Sequence, residues 1–277
     1  MMEVALCLAI IGFALVSILA VLPLGMGNQQ RTRQATLISQ DATMFLESIR
    51  DGAHGMNDLT NYVVAITNYF QYYKLGQPDG RVNVAGYTYS ASSINNTPAP
   101  GLLLTNGLRI IGLLSTPEFT TWDSPNGIAG PGGLPVTDTF YGTYISNRVY
   151  AYVRSFSGMA AEKPPQNNDI LRDASFSYRM LCVNAPVTES TNLMAQMATN
   201  AGAVYDYDQQ LAGNLRQLRL EFRWPLLPNL SVAANPQIQN FRTDVAGQML
   251  LTNDYPNNPG DGMWLYFCQS QSFTNSP

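Results

Sequence analysis

The side chains that could carry out chemistry are few in this sequence. His54 is the single histidine, so a Ser-His-Asp triad, a Cys-His pair or a histidine-rich zinc site would each depend on it. It lies between Gly52 and Gly55, where a helix is expected to end, and this position favours a surface residue. None of the 19 acidic residues has neighbours that mark a glycosidase pair. We therefore expect a protein that is not an enzyme and that holds no cofactor and no metal ion.

The three cysteines and one acidic loop need separate interpretations. Cys182 and Cys268 fall in predicted strands and form a candidate disulfide if this part of the chain is exported. Two separate buried thiols are an equally good interpretation. Cys7 lies in an apolar segment and is expected to act as a small apolar residue. Asp254 and Asp261 lie among turn-forming residues without the EF-hand spacing, which favours reverse turns over a calcium site.

The composition excludes some classes of protein. Of the 277 residues, 45% are hydrophobic, which is enough for a packed core and argues against wholesale disorder. Charged residues make up only 12%, about half the usual fraction. The net charge is −4, whereas a nucleic-acid binder needs a basic surface to neutralise phosphates. We therefore expect no nucleic-acid partner.

The amino terminus is strongly apolar. Residues 4–24 contain no charged side chain. As a helix this segment would be roughly 31 Å long, about the thickness of the hydrocarbon core of a bilayer. A cleavable signal peptide is disfavoured because the run is too long and Glu3 makes its flank acidic. Arg31 and Arg33 follow the run, so the positive-inside rule places the body in the cytoplasm unless a basic leader once preceded Met1.

The first 50 residues resemble a known family. Glu3 is followed by an apolar run containing Ala9-Ile10-Ile11-Gly12, with the glycine nine positions after the glutamate. This arrangement resembles the amino-terminal helix of type IV pilins and pseudopilins. Pro23 is similar to the helix-loosening proline of that family, displaced by about one turn. The family's basic leader and cleavage glycine are absent, and its glutamate is normally the fifth residue of the processed chain.

The resemblance implies a structural subunit of an extracellular, type IV pilus-like filament that assembles helically through this helix. Glu3 would set the register between subunits, because a buried carboxylate needs a partner such as a neighbour's terminal ammonium. Gly12 and Pro23 would loosen the helix. The filament core would contain the apolar residues Val4, Leu8, Ile11, Phe13, Leu15, Ile18 and Leu22.

The partners implied by the resemblance are copies of the same chain, the inner membrane before assembly, the prepilin peptidase and the pilus assembly machinery. Two alternatives stay open. The chain could be a single-pass, membrane-anchored binding module with an exported β-rich head, or a pseudopilin of a secretion system. In the simplest reading of the residues, Glu3 only ends the apolar span and Pro23 only kinks the helix.

The remaining sequence predicts one more helix and several strands. The first helix is expected to continue through residues 28–49, where apolar residues recur at helical spacing: Leu37, Ile38, Phe45, Leu46 and Ile49. A second helix is expected at 58–73, and Asn106-Gly107 predicts a hairpin within 102–114. Alternation predicts strands at 82–90, 148–157, 175–183, 215–224 and 263–268, and a weaker one at 241–251.

These elements predict an α+β protein. Residues 1–27 would form the apolar helix of the membrane or filament core. Residues 28–277 would form a globular head, in which the second half of the long helix packs on a mostly antiparallel sheet. The glycine- and proline-rich stretch 117–135 and the stretch 162–169 are expected to be surface loops.

Overall fold

The computed structural model describes residues 2–52, 56–74, 81–90, 104, 106–121, 143–157, 176–187, 211, 213–227, 229–253, 264–270 and 272–273. Within these ranges, only the backbone is described for residues 19–26, 70–74, 81–90, 121, 143–145, 253 and 264. His54, Gly55, Asp254, Asp261 and the predicted loop 162–169 lie outside the described residues. Of the predicted loop 117–135, only residues 117–121 are described, and three of them, Phe119–Thr121, form a short strand instead of a loop.

The described residues form an α+β fold, which confirms the predicted class. Helix α1 (Met2–Asp51) is followed by a 3-10 helix (Asn57–Asn61) and, later, by helix α2 (Gly107–Leu114). The strands are β1 (Val63–Lys74), β2 (Arg81–Ser90), β3 (Phe119–Thr121), β4 (Thr143–Arg154), β5 (Ser177–Pro186), β6 (Leu215–Leu226), β7 (Val232–Ala246), β8 (Gln248–Asn253) and β9 (Trp264–Gln269).

The main sheet has seven strands in the order β2-β1-β4-β5-β6-β7, with β3 also paired to β4. Its ladders are antiparallel, and so is the separate β8-β9 pair. Along β5 buried and half-buried residues alternate, so one face of this strand packs on the core. That core face is covered by the second half of α1, by α2 and by β9.

The prediction of a helix at 58–73 was wrong, because most of this segment forms strand β1. Its residues are largely β-branched or aromatic, and it pairs with β2 on one side and β4 on the other. Ala65, Ile66, Thr67 and Asn68 are consecutive and all buried. A strand with both faces covered does not alternate, so its apolar residues produced spacings that also fit a helix.

The predicted hairpin around Asn106-Gly107 was also wrong, because this pair begins helix α2. Asn106 is extended and is the N-cap, and its Oδ1 accepts a hydrogen bond of 2.7 Å from the backbone N–H of Arg109. A Cβ on Gly107 would lie 2.0 Å from the carbonyl oxygen of Met56. The glycine is therefore required for close packing against the 3-10 helix and not for a turn.

The end of α1 follows the sequence closely. Gly52 has a φ of +72°, the left-handed conformation that commonly ends a helix and that glycine adopts without strain. The helix therefore ends at Asp51, directly before the first of the two glycines expected to stop it.

Candidate functional site

The amino-terminal part of α1 exposes its apolar side chains. Nine large apolar residues between positions 4 and 18 are more than half exposed: Val4, Leu6, Leu8, Ile10, Ile11, Phe13, Leu15, Val16 and Ile18. Successive residues of a helix are about 100° apart, so these positions point in every direction around the axis. Among the described residues, this part of the helix therefore rests on no other part of the subunit.

The second half of α1 has the opposite environment. Ile38, Ala42, Phe45 and Ile49 are fully buried, at a spacing that places them along one face of the helix. The rings of Phe45 and Phe156 meet edge to face at 5.4 Å. The second half of α1 is thus packed on the head, whereas the first part exposes its side chains and contacts no other described element.

Polar contacts also hold the second half of α1 on the sheet. The Tyr178 hydroxyl donates to Asp41 Oδ2 at 2.9 Å, inside the interface between the helix and the sheet. Two further bonds flank this buried pair: Trp224 Nε1 donates to Gln34 Oε1, and Gln239 Nε2 donates to Ser39 Oγ, each at 3.2 Å.

Burial controls the protonation of this pair. It raises the pKa of the Asp41 carboxyl, and hydrogen bonds from Ser157, Ser155 and Tyr178 oppose that rise. Burial together with the Asp41 charge raises the pKa of Tyr178 well above its usual value. Asp41 was missed by the sequence analysis, although an acid between the apolar positions Ile38 and Ala42 of one helix face was visible there.

Glu3 and Gly12 lie on the exposed segment, together with the residues expected to form the filament core. Glu3 is exposed in the first turn of α1, where a carboxylate complements the helix dipole. A Cβ on Gly12 would have no neighbour within 4 Å. Nothing within the described part of the subunit therefore requires a glycine at this position.

Leu22 and Pro23 belong to the helical backbone of α1, and their side chains lie outside the described residues. Among the residues that the structure describes, no helix combines the length and the apolar character needed to cross a membrane.

Both cysteines of the candidate disulfide are free thiols in this structure. The Cys182 thiol donates to the carbonyl oxygen of Leu114 at 3.1 Å, and the Cys268 thiol to Met249 Sδ at 3.5 Å. Burial, reinforced by Cys268, raises the pKa of Cys182 to about 12. Burial raises the pKa of Cys268 to about 11, against the opposing effect of Arg216. The two thiols belong to the same buried cluster.

No group of three or more His, Cys, Asp or Glu residues suited to a metal ion occurs in the described part of the chain. Comparison with known proteins gives no family: no protein-family profile, no curated protein and no solved structure matches the chain.

Proposed function

We propose that the protein is a structural subunit of an extracellular, type IV pilus-like filament, in which the exposed segment of α1 packs against the same segment of neighbouring copies. The observation that carries the proposal is the contrast within α1. Its first residues expose apolar side chains in all directions, whereas its second half is docked on the head. Such a segment is costly to leave in water.

The size of this surface supports assembly. Nine large side chains with about 100 Å² exposed each amount to roughly 900 Å² of apolar surface, worth roughly 20 kcal/mol at about 25 cal/mol per Å². Burial of this surface would offset the cost of association, which is estimated at about 4–15 kcal/mol before side-chain ordering. Because the apolar residues surround the helix, one partner cannot cover them all. A helical array of copies can, and heterologous contacts that do not close produce an open filament.

Glu3 is the residue proposed to set the register. Its carboxylate would enter the apolar core on assembly and require a positive partner there, which the terminal ammonium of the next subunit provides. If a subunit were displaced along the filament axis, out of this register, its Glu3 carboxylate would be buried and unpaired. In the same array, Gly12 and Pro23 would allow the helix to lengthen locally.

The other expected partners follow from the resemblance to type IV pilins. They are the inner membrane, which would hold the apolar segment before assembly, the prepilin peptidase and the pilus assembly machinery. The competing proposal is a membrane-anchored binding module with an exported head, in which lipid covers the same apolar side chains. A pseudopilin of a secretion system would share the packing of α1 but form short assemblies.

The decisive experiment is negative-stain microscopy of material sheared from cells that produce the full chain, compared with cells producing Glu3→Ala or Glu47→Ala. Glu47 is an exposed acid on the docked half of the same helix, so its loss removes equal charge outside the proposed core. We expect filaments from the parent chain and from Glu47→Ala, and none from Glu3→Ala. The midpoint of thermal unfolding should be the same for all three proteins.

One result would contradict the filament proposal, and another would contradict only the role of Glu3. Sheared material without filaments, with all of the protein in the membrane fraction, would favour the membrane-anchored module. Normal filaments from Glu3→Ala would remove Glu3 from register control while leaving the packing of the apolar residues in place.

A further inference from the structure

The face of the main sheet that points away from α1 collects arginines. Six on this face belong to strands β4–β7: Arg148, Arg154, Arg179, Arg219, Arg223 and Arg242. They alternate along their strands with buried residues such as Val149, Met180 and Leu220, so they share the outer face. Among the described residues of β4–β7, this face has only two carboxylates, Glu221 and Asp244. The face is therefore basic, although the whole chain has a net charge of −4.

The pairing of the strands places arginines directly opposite one another. Arg179 on β5 is opposite Arg223 on β6, and Arg219 on β6 is opposite Arg242 on β7. Like charges at directly opposed positions destabilise a sheet. The Glu221 carboxylate forms an ion pair with Arg223, which relieves the first of these contacts. A bound anion would relieve the second.

A depression lies at the second arginine pair. Its volume is about 380 Å³, within the usual range of ligand sites. Its charged lining residues are Arg219, Arg242 and Glu221, whose carboxylate is paired with Arg223, and the rest of the lining is Leu181, Val183, Leu220, Asn240 and Phe241. Both arginines are exposed, and the Nε of Arg219 donates to Gln217 Oε1 at 2.7 Å. Four of the five guanidinium N–H donors of Arg219 remain for a ligand.

Tyrosines continue this surface toward β1. Tyr69 is 47% exposed and directly opposite Arg148, and its ring meets that of Tyr150 edge to face at 5.8 Å. The Arg179 guanidinium lies over the Tyr150 ring, 5.0 Å from its centroid. An exposed ring beside several guanidinium groups offers stacking and phosphate contacts on one face of the sheet.

We propose that this outer face binds single-stranded nucleic acid without sequence specificity, with phosphates at Arg148, Arg219 and Arg242 and a base stacked on Tyr69. Guanidinium groups bind phosphate through paired N–H donors, and aromatic rings stack on any base. The five neighbouring strands from β1 to β7 span roughly 19 Å, which accommodates a few nucleotides. The expectation of no nucleic-acid partner rested on the net charge, which averages over the chain and does not detect a basic face.

The test measures the fluorescence anisotropy of a labelled 15-nucleotide oligothymidine with the full chain in a neutral detergent. Arg219→Gln combined with Arg242→Gln should weaken binding by about tenfold or more at low salt and make the slope of log K against log salt shallower by about 1.4. Arg31→Gln combined with Arg33→Gln is the matched control, because it removes two exposed arginines from α1. Its affinity should change less than twofold.

Stacking is tested at Tyr69. Tyr69→Ala should weaken binding several-fold, whereas Tyr69→Phe keeps the ring and should restore it. No binding by the parent chain, or equal losses in the two double variants, would overturn the proposal. Equal competition by an acidic polysaccharide, together with no effect of Tyr69→Ala, would show a general polyanion surface and would also overturn it. Because detergent keeps the subunits apart, these results are independent of filament assembly.

Discussion

Replacing Phe13 by alanine separates the role of the exposed segment of α1 from the stability of the head. The Phe13 side chain is 78% exposed in the subunit, so its loss removes no packing there. Exposed substitutions away from such packing usually change the free energy of unfolding by no more than about 0.5 kcal/mol. In the proposed filament the same ring is buried among neighbouring copies. The substitution should therefore weaken assembly without affecting the head.

The magnitude follows from the area. Truncating an exposed phenylalanine to alanine removes roughly 100 Å² of apolar surface, or about 2–3 kcal/mol at 25–30 cal/mol per Å². Each 1.4 kcal/mol is a factor of ten in an equilibrium constant. The critical concentration for assembly should therefore rise by about 30- to 150-fold.

The assay is sedimentation of purified protein after removal of detergent, over a range of concentrations, with thermal unfolding followed on the same samples. Phe45→Ala is the matched control, because Phe45 lies on the same helix but is fully buried against the head. It should lower the free energy of unfolding by about 3–5 kcal/mol. An unchanged critical concentration for Phe13→Ala would refute the reasoning, since the exposed ring would then have no place in a protein core.

Two further predictions concern groups inside the head. The pKa of Asp41 is raised by burial, so the stabilisation linked to its protonation is complete below the unfolded value of 3.8 and is lost as pH rises through the folded value. Asp41→Asn should remove this pH dependence from denaturant unfolding, and an unchanged profile would contradict the assignment. The free thiols Cys182 and Cys268 are buried, so a thiol reagent should modify neither in the folded protein and all three cysteines after non-reducing denaturation. A single reactive thiol after denaturation would instead show the candidate disulfide.

Some of the fold could be predicted from local pattern. Residues 215–224 alternate arginine with apolar side chains, and this pattern predicted strand β6, with one wet and one dry face. The end of α1 followed from Gly52. Strand β1 could not be separated from a helix, because its consecutive residues Ala65, Ile66, Thr67 and Asn68 are all buried, so that both faces are covered there and the sequence loses the alternation. The role of Asn106 as an N-cap depended on the packing of Gly107 against Met56, far away in the sequence.

The sequence by itself determined the apolar character of residues 4–24 and the acid that precedes them, since both are properties of consecutive residues. Only the tertiary structure decided which half of α1 has partners and which side chains meet across the sheet. Arg219 and Arg242 are 23 positions apart and become neighbours through the register of β6 and β7. Asp41 and Tyr178 are joined across 137 positions. Such contacts depend on the relative placement of distant strands, which no local pattern of residue types specifies.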